Sequence, residues 1–243
     1  MRQFMSHWVT PMKGITVARI RIPAVVLAGA LFLLAARARD AAVALPAPAL
    51  DPASTGIEKA VLAGGCFWGI QAVFEHVGGV TLVVAGYAGG AKANPTYEDV
   101  STEKTGHAET VAITYDASKV SFGKLLQVFF SVGHDPTQLN RQGPDEGPSY
   151  RSNIFYTSDS QKKVAEAYIA QLTNARLFSR PIVTRVDPFT NFYPAEDYHQ
   201  DFLIKNPTYP YIVINDLPKL SNFKRLLPQL YREQPVKMDK RAS

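Results

Sequence analysis

Most of the chemical interest of this sequence rests on one thiol. Cys66, the single cysteine among 243 residues, stands in GGCFWG (64–69), behind two glycines and ahead of two large aromatics. A lone cysteine can pack as a small hydrophobe or act as a nucleophile, and the nucleophile is the thiolate. A helix N-terminus favours the thiolate, because unpaired backbone N–H groups and the helix dipole stabilise negative charge there. KAVLAGG (59–65) reads as a buried strand ending in a tight turn. From Cys66 the period changes, with Phe67, Ile70, Val73, Phe74 and Val77 recurring at helical spacing. Cys66 is therefore expected at the start of a helix, with Phe67 and Trp68 beside the sulfur. Spacing alone leaves both readings of the thiol open.

A thiolate that displaces a group needs a proton donor for whatever leaves. Glu109, in TGHAE (105–109), is a candidate. Burial near aromatics would raise its pKa and keep it protonated, whereas a surface carboxylate on a strand would do neither. His107 is a second acid–base candidate or a structural histidine. Tyr97 and Tyr150 each end a proline-containing loop stretch. Their phenols could bind a developing oxyanion or simply pack half-buried. His76, His107, His134 and His199 lack paired ligand spacing and there is no CxxC, which argues against a metal site. GYAGG (86–90) lacks the lysine and serine of a phosphate-binding loop.

The elements that must position these residues follow from the patterning. Gly78 and Gly79 stop the first helix, and VTLVVAGYA (80–88) reads as a second strand. Residues 89–106 form a long, turn-rich loop. HAETVAITYD (107–116) alternates Val111, Ile113 and Tyr115 against Thr110, Ala112 and Thr114, so a half-buried strand is expected. Ser121 is placed to cap the next helix, a second long loop covers 134–152, and NIFYT (153–157) is a strand. Ser158 and Gln161 form a capping-box pattern for a helix running to about Ala175. PIVTRVD (181–187) reads as a strand, and PAEDYHQDFLIKN (194–206) as one short helix between prolines. The alternation points to a two-layer α/β or α+β domain.

Composition bounds the function. The chain is 46% hydrophobic, enough for a substantial core. The net charge of +5 comes from the two ends: residues 1–40 carry +5, residues 217–243 carry +5, and residues 51–216 carry −5. A folded middle of that sign is a poor footprint for nucleic acid. IPAVVLAGALFLLAA (22–36) is a 15-residue apolar run behind Arg19 and Arg21. It is short of the roughly 20 residues of a membrane span and matches a signal-peptide core, with Met1 or Met12 as the start. Arg37 and Arg39 on its far side leave an uncleaved anchor as the alternative. The expected organisation is a signal peptide or anchor over 1–43, a Pro/Ala linker over 44–56, a domain over 57–216 and a C-terminal extension over 217–243. Export to the periplasm or outside the cell is the corresponding expectation.

GGCFWG, followed in order by GYAGG, NPTY, TGHAE, HDPTQ, RQGPDEGPSYRS and FYPAEDYHQDF, resembles the peptide methionine sulfoxide reductases of the A type. The likeness runs from about residue 59 to 215. It implies a two-layer α/β fold related to the ferredoxin-like plait and reduction of methionine-S-sulfoxide, protein-bound or free, to methionine. It implies Cys66 as the nucleophile on the sulfoxide sulfur and Glu109 as the acid that protonates the oxygen. Tyr97 and Tyr150 would bind that oxygen, Asp145 would fix the polar end of the site, and Phe67 and Trp68 would wall a pocket for the S-methyl group. No cofactor or metal is implied, only an external thiol such as thioredoxin, glutaredoxin or a small thiol. The chain is expected to act as a monomer on oxidised proteins and free methionine sulfoxide.

One departure matters. Many relatives carry a second cysteine that converts the sulfenic acid to a disulfide. In this chain the position after DV (99–100) is Ser101, and no cysteine follows near the C-terminus. The expected sulfenic acid on Cys66 must then be resolved by a thiol from outside the chain. Two other readings compete. His199 lies 133 residues after Cys66, near the separation in papain-like cysteine hydrolases, but the papain-type motif is missing. A secreted binding domain with an inert buried cysteine is the other.

Overall fold

The computed structural model describes residues 43–238. The expected leader lies outside the described residues. β1 (Ile57–Gly64) leads into α1 (Phe67–Glu75), β2 (Val80–Ala88), a one-turn α2 (Tyr97–Val100) and β3 (Ala108–Asp116). α3 (Phe122–Val128) widens into a π-helical turn over Phe129–Gly133, and a small hairpin, β4 (Arg141–Gln142) and β5 (Asp145–Glu146), precedes β6 (Ser152–Tyr156). α4 (Asp159–Asn174), β7 (Arg185–Pro188), β8 (Phe192–Pro194), α5 (Phe202–Lys205) and α6 (Leu217–Leu226) complete the chain.

The main sheet runs β7-β6-β1-β3-β2-β8. Its central four strands, β6-β1-β3-β2, pair antiparallel throughout. With α1 after β1 and α3 after β3, this is the βαββαβ arrangement of the ferredoxin-like plait. β7 adds parallel to β6 at one edge, and β8 adds antiparallel to β2 at the other. The main core joins Leu62, Val111, Ile113 and Tyr115 of the sheet to Phe67, Phe74, Leu125, Phe129, Tyr168 and Phe223 of the helices.

β3 is not half-buried as its alternation suggests. Its second face carries Ala108 and Ala112, which join Val61, Ala63, Ala88 and Phe155 in a smaller cluster under Phe189 and Phe192. Small residues there are covered by rings from elsewhere in the chain. The loop over 89–106 contains α2, capped by Thr96: its hydroxyl accepts from the Asp99 N–H, and the Asp99 carboxylate accepts from the Thr96 N–H. Ser121 and Ser158 cap α3 and α4 as expected. Gln161, however, turns its carbonyl oxygen to the Thr157 N–H and its amide to the Lys59 carbonyl, so only half of the capping box forms.

Two expected elements are shorter or broken. Only Arg185–Pro188 pairs as β7, because the preceding Val183 N–H goes to the Pro136 carbonyl. The single helix expected over 194–206 breaks at Asp201, whose φ is 51°. The reason is a pair of buried amides. Gln200 exchanges hydrogen bonds with both backbone groups of Ala85 on β2, and Gln71 of α1 accepts from the Asp201 N–H. Those tertiary bonds replace the helical ones.

The packed domain is wider than 57–216. Leu45 is buried in the core, Gln127 donates to its carbonyl, and Tyr168 donates to the Pro46 carbonyl. Asp51 accepts from the Gly123 N–H at the start of α3. At the other end, Phe223 of α6 is fully buried.

Candidate active site

Cys66 is the N-cap of α1. Gly65 turns the chain into it with φ 92°, and a Cβ there would stand 2.4 Å from the Gln142 Cβ, so only glycine lets the β4–β5 hairpin close over the turn. The first N–H of α1, on Phe67, donates to Glu109 Oε2 at 3.0 Å. The free end of one helix thus holds the thiol and the carboxyl side by side, as unpaired N-terminal amides allow.

A cavity of about 210 Å³ opens over them, lined by Cys66, Phe67, Trp68, Tyr97, Glu109, Asp145, Tyr150, Tyr209 and Tyr211. That is below the roughly 300–1,000 Å³ that encloses drug-sized ligands, so it suits the end of a side chain. Every residue expected at the site is present in this lining. A larger cavity, about 380 Å³ between Asp51 and the start of α4, has no cysteine in its wall.

Each wall is held in place by chemistry elsewhere in the sequence. Glu196, in FYPAEDYHQDF, accepts from the Tyr97 N–H at 2.8 Å and from the Tyr87 hydroxyl at 2.9 Å, fixing α2 against β2. Glu103 accepts from the N–H and hydroxyl of Ser149, setting the turn that presents Tyr150. The Tyr211 hydroxyl donates to Asp145. Trp68 stacks flat on Phe202 with centroids 3.8 Å apart and meets Tyr209 and Tyr211 edge-on.

The electrostatics favour protons. Burial pushes Glu109 up to about 8, with the Phe67 N–H opposing and Asp145 adding to the rise. The neutral acid is therefore the prevailing form of Glu109 at pH 7. Burial also raises the Cys66 thiol, reinforced by Glu109 and Asp216, while the Trp68 N–H and Lys219 pull it down. The resting group is a thiol, not the thiolate expected from the helix end alone. A single helix terminus does not outweigh desolvation next to two carboxyls.

The other candidates take structural places. His107 accepts from the Gly90 N–H and bonds the Lys92 carbonyl, pinning the loop after β2. His199 accepts at Nδ1 from the Trp68 indole and packs against the Phe67 ring, outside the cavity lining, so it is no partner for a hydrolase-type thiol. Tyr209, Tyr211, Asp216 and Lys219 escaped sequence reasoning. The run YPY (209–211) after Asn206-Pro207 was a usable signal, since aromatics flanking a proline in a loop commonly line a site.

The sequence profile of the peptide methionine sulfoxide reductase family matches residues 58–230. The chain is 61% identical to peptide methionine sulfoxide reductase MsrA 2 of Mesorhizobium japonicum over 186 residues, 76% of this chain and 95% of that protein. It is 48% identical to the Thermus thermophilus MsrA over 175 residues, 72% of this chain and 98% of that one. Among solved structures, methionine sulfoxide reductase A of Corynebacterium diphtheriae superposes with a TM-score of 0.55 at 34% identity, covering 69% of this chain and 86% of that one. Reduced Mxr1 of Saccharomyces cerevisiae gives 0.57 at 32% identity, covering 63% and 87%. The chain belongs to the peptide methionine sulfoxide reductase family, and is an oxidoreductase that reduces methionine sulfoxide at the expense of thiols.

Proposed function

We propose that Cys66 attacks the sulfoxide sulfur while Glu109 protonates the sulfoxide oxygen. The observation that carries this is the hydrogen bond from the Phe67 N–H to Glu109, which sets a neutral carboxyl beside the buried thiol at one helix end. A sulfoxide oxygen leaves only when protonated, so an acid with its proton still on at neutral pH is the needed partner. The thiol gives up its proton as the sulfur–sulfur bond forms, and Glu109 hands its own proton to the oxygen. The oxygen then passes to Cys66 as a sulfenic acid and the thioether, methionine, departs. The substrate sulfur is reduced by two electrons and the cysteine sulfur oxidised by two; the thiol proton makes good the one Glu109 spent. Tyr97 and Tyr150 supply phenol donors to the oxygen, and Asp145, held by Tyr211, closes the polar end. Phe67 and Trp68 receive the S-methyl group and exclude water.

The resemblance extends this reading to the S epimer, to free and protein-bound methionine sulfoxide, and to a monomeric enzyme exported through its N-terminal segment. With no second cysteine, the sulfenic acid waits for a thiol from outside, either a thioredoxin- or glutaredoxin-like protein or a small thiol. The test is reduction of separated sulfoxide epimers by the wild type, Cys66→Ser and Glu109→Gln. Cys66→Ser should be inactive, and full activity in it would sink the assignment. Mass spectrometry after one turnover without reductant should find a sulfenic acid or an adduct on Cys66.

A further inference from the structure

Against the first turn of α1, outside the cavity lining, lies a buried ion pair that the reaction scheme above does not use. Asp216, fully buried where α6 begins, accepts from Lys219 Nζ at 3.0 Å. Its second oxygen, Oδ2, is buried without a hydrogen-bond partner. The pair presses on Gly69, in the first turn of α1. A Cβ at that position would stand 2.0 Å from Asp216 Oδ1 and 2.9 Å from Lys219 Nζ. The requirement at Gly69 is therefore space: glycine admits the ion pair to the turn that carries Cys66.

A purely structural reason for the pair is weak. Buried ion pairs often contribute less than well-packed apolar residues of similar volume, and an unsatisfied carboxylate oxygen adds cost. What the pair does supply is charge next to a reacting thiol. The other ionisable groups lining the cavity with Cys66 are acids or phenols: Glu109 from β3, Asp145 from β5, Tyr97 from α2, Tyr150 before β6, and Tyr209 and Tyr211 before α6. Lys219 is a cation whose charge reaches the thiol, and it comes with Asp216, whose opposite charge acts more strongly on the same thiol.

We propose that Asp216 and Lys219 are a positioning pair for the nucleophile, packed against the turn that carries Cys66: Lys219 favours the thiolate as it attacks, and Asp216 anchors Lys219 there while opposing it, so the pair sets the poise of the thiol. The inference rests on Cys66 being the nucleophile. Neither residue lines the cavity, so both act through Cys66.

The two members of the pair have opposite signs, which gives the test. The rate of Cys66 alkylation by iodoacetamide is followed against pH in the wild type, Lys219→Met, Lys219→Arg and Asp216→Asn, without any sulfoxide present. Lys219→Met should move the midpoint of the rate profile upward and slow alkylation at pH 8 by about tenfold, the change that one pH unit brings. Lys219→Arg should restore most of the rate. Asp216→Asn removes the negative member and should move the midpoint downward. A merely structural pair would not move the profile in opposite directions. Circular dichroism and a thermal melt establish that each variant is folded; where Lys219→Met does not fold, the Asp216→Asn and Lys219→Arg profiles decide. A Lys219→Met midpoint equal to the wild type's, or Lys219→Met and Asp216→Asn shifting the same way, would overturn the inference. A wild-type thiol that resists alkylation across the whole pH range would overturn the reading of Cys66 itself.

Discussion

Two buried glutamates sit at opposite ends of α1, and they differ in what surrounds them. Glu109 meets the N-terminal end, where its carboxylate takes the Phe67 N–H and faces a cavity of phenols. Glu75 is the last residue of α1, almost wholly buried, faces Asp201 and has no part in the cavity that holds Cys66. Burial raises both, to about 8 for Glu109 and about 9 for Glu75, where the charge of Asp201 adds to the effect. A raised pKa thus marks burial, and it marks catalysis only where a cavity and a nucleophile share the site. The helix ends differ in the same way. At the C-terminal end the chain closes over the carbonyls: Arg232 donates from its backbone to the His76 carbonyl and from its guanidinium to the Glu75 and Val80 carbonyls, and the Val236 N–H adds to Glu75. A cation there also complements the helix dipole. One end is spent on stability, and the other is left available for chemistry.

The comparison breaks most visibly at Glu109. Glu109→Gln keeps the shape and removes the proton, and kcat/KM should fall by about 10²–10⁴-fold, the usual worth of a positioned acid. The wild-type rate at the acid step should fall as pH rises through about 8, because the donor form is lost there. The variant's remaining activity should lack that limb, and a retained limb would assign it to another group.

Phe223→Ala tests the closed end. Phe223 is fully buried and meets Tyr231, which stacks on His76 at the end of α1. Removal should cost about 3–5 kcal/mol in denaturant unfolding. A loss under about 1 kcal/mol would mean that α6 is an appendage.

Glu75→Gln sharpens the contrast. The folded state holds the Glu75 proton up to about pH 9, whereas the unfolded chain releases it near the ordinary 4.5. The stability tied to this group is therefore full below pH 4.5 and drains away as pH rises toward 9. The variant should show a flatter stability curve over that range, worth a few kcal/mol at its upper end, with activity at neutral pH within about twofold of wild type. An activity loss matching that of Glu109→Gln would end the distinction between the two carboxyls. Arg232→Met should have the smallest effect, about 1 kcal/mol of stability and no change in the pH profile of activity, by the same measurements.

Much of the fold and of the site is legible in the sequence. The order of strands and helices followed from period changes, and the caps at Ser121 and Ser158 followed from residue types. Cys66, Glu109, Tyr97, Tyr150, Asp145, Phe67 and Trp68 were all expected at one site and all line one cavity. The errors share a cause. Segments 181–187 and 194–206 have the local composition of a strand and a helix, but Val183, Gln200 and Asp201 make their backbone or side-chain bonds to residues far away in the chain. Local periodicity carries no record of such partners.

The sequence by itself determined the single thiol, its isolation from any second cysteine and the helix it caps, because these depend on residue identity and short-range spacing; the reactivity of that thiol and its pairing with Glu109 were implied by the family resemblance. Only the tertiary structure decided the protonation of that thiol and the walls around it. Burial beside Glu109 and Asp216 keeps Cys66 a thiol at rest, and Tyr209, Tyr211 and Lys219 arrive from a segment more than 140 residues further along the chain. Desolvation and charge act through distance in space, and the chain sets that distance only by folding.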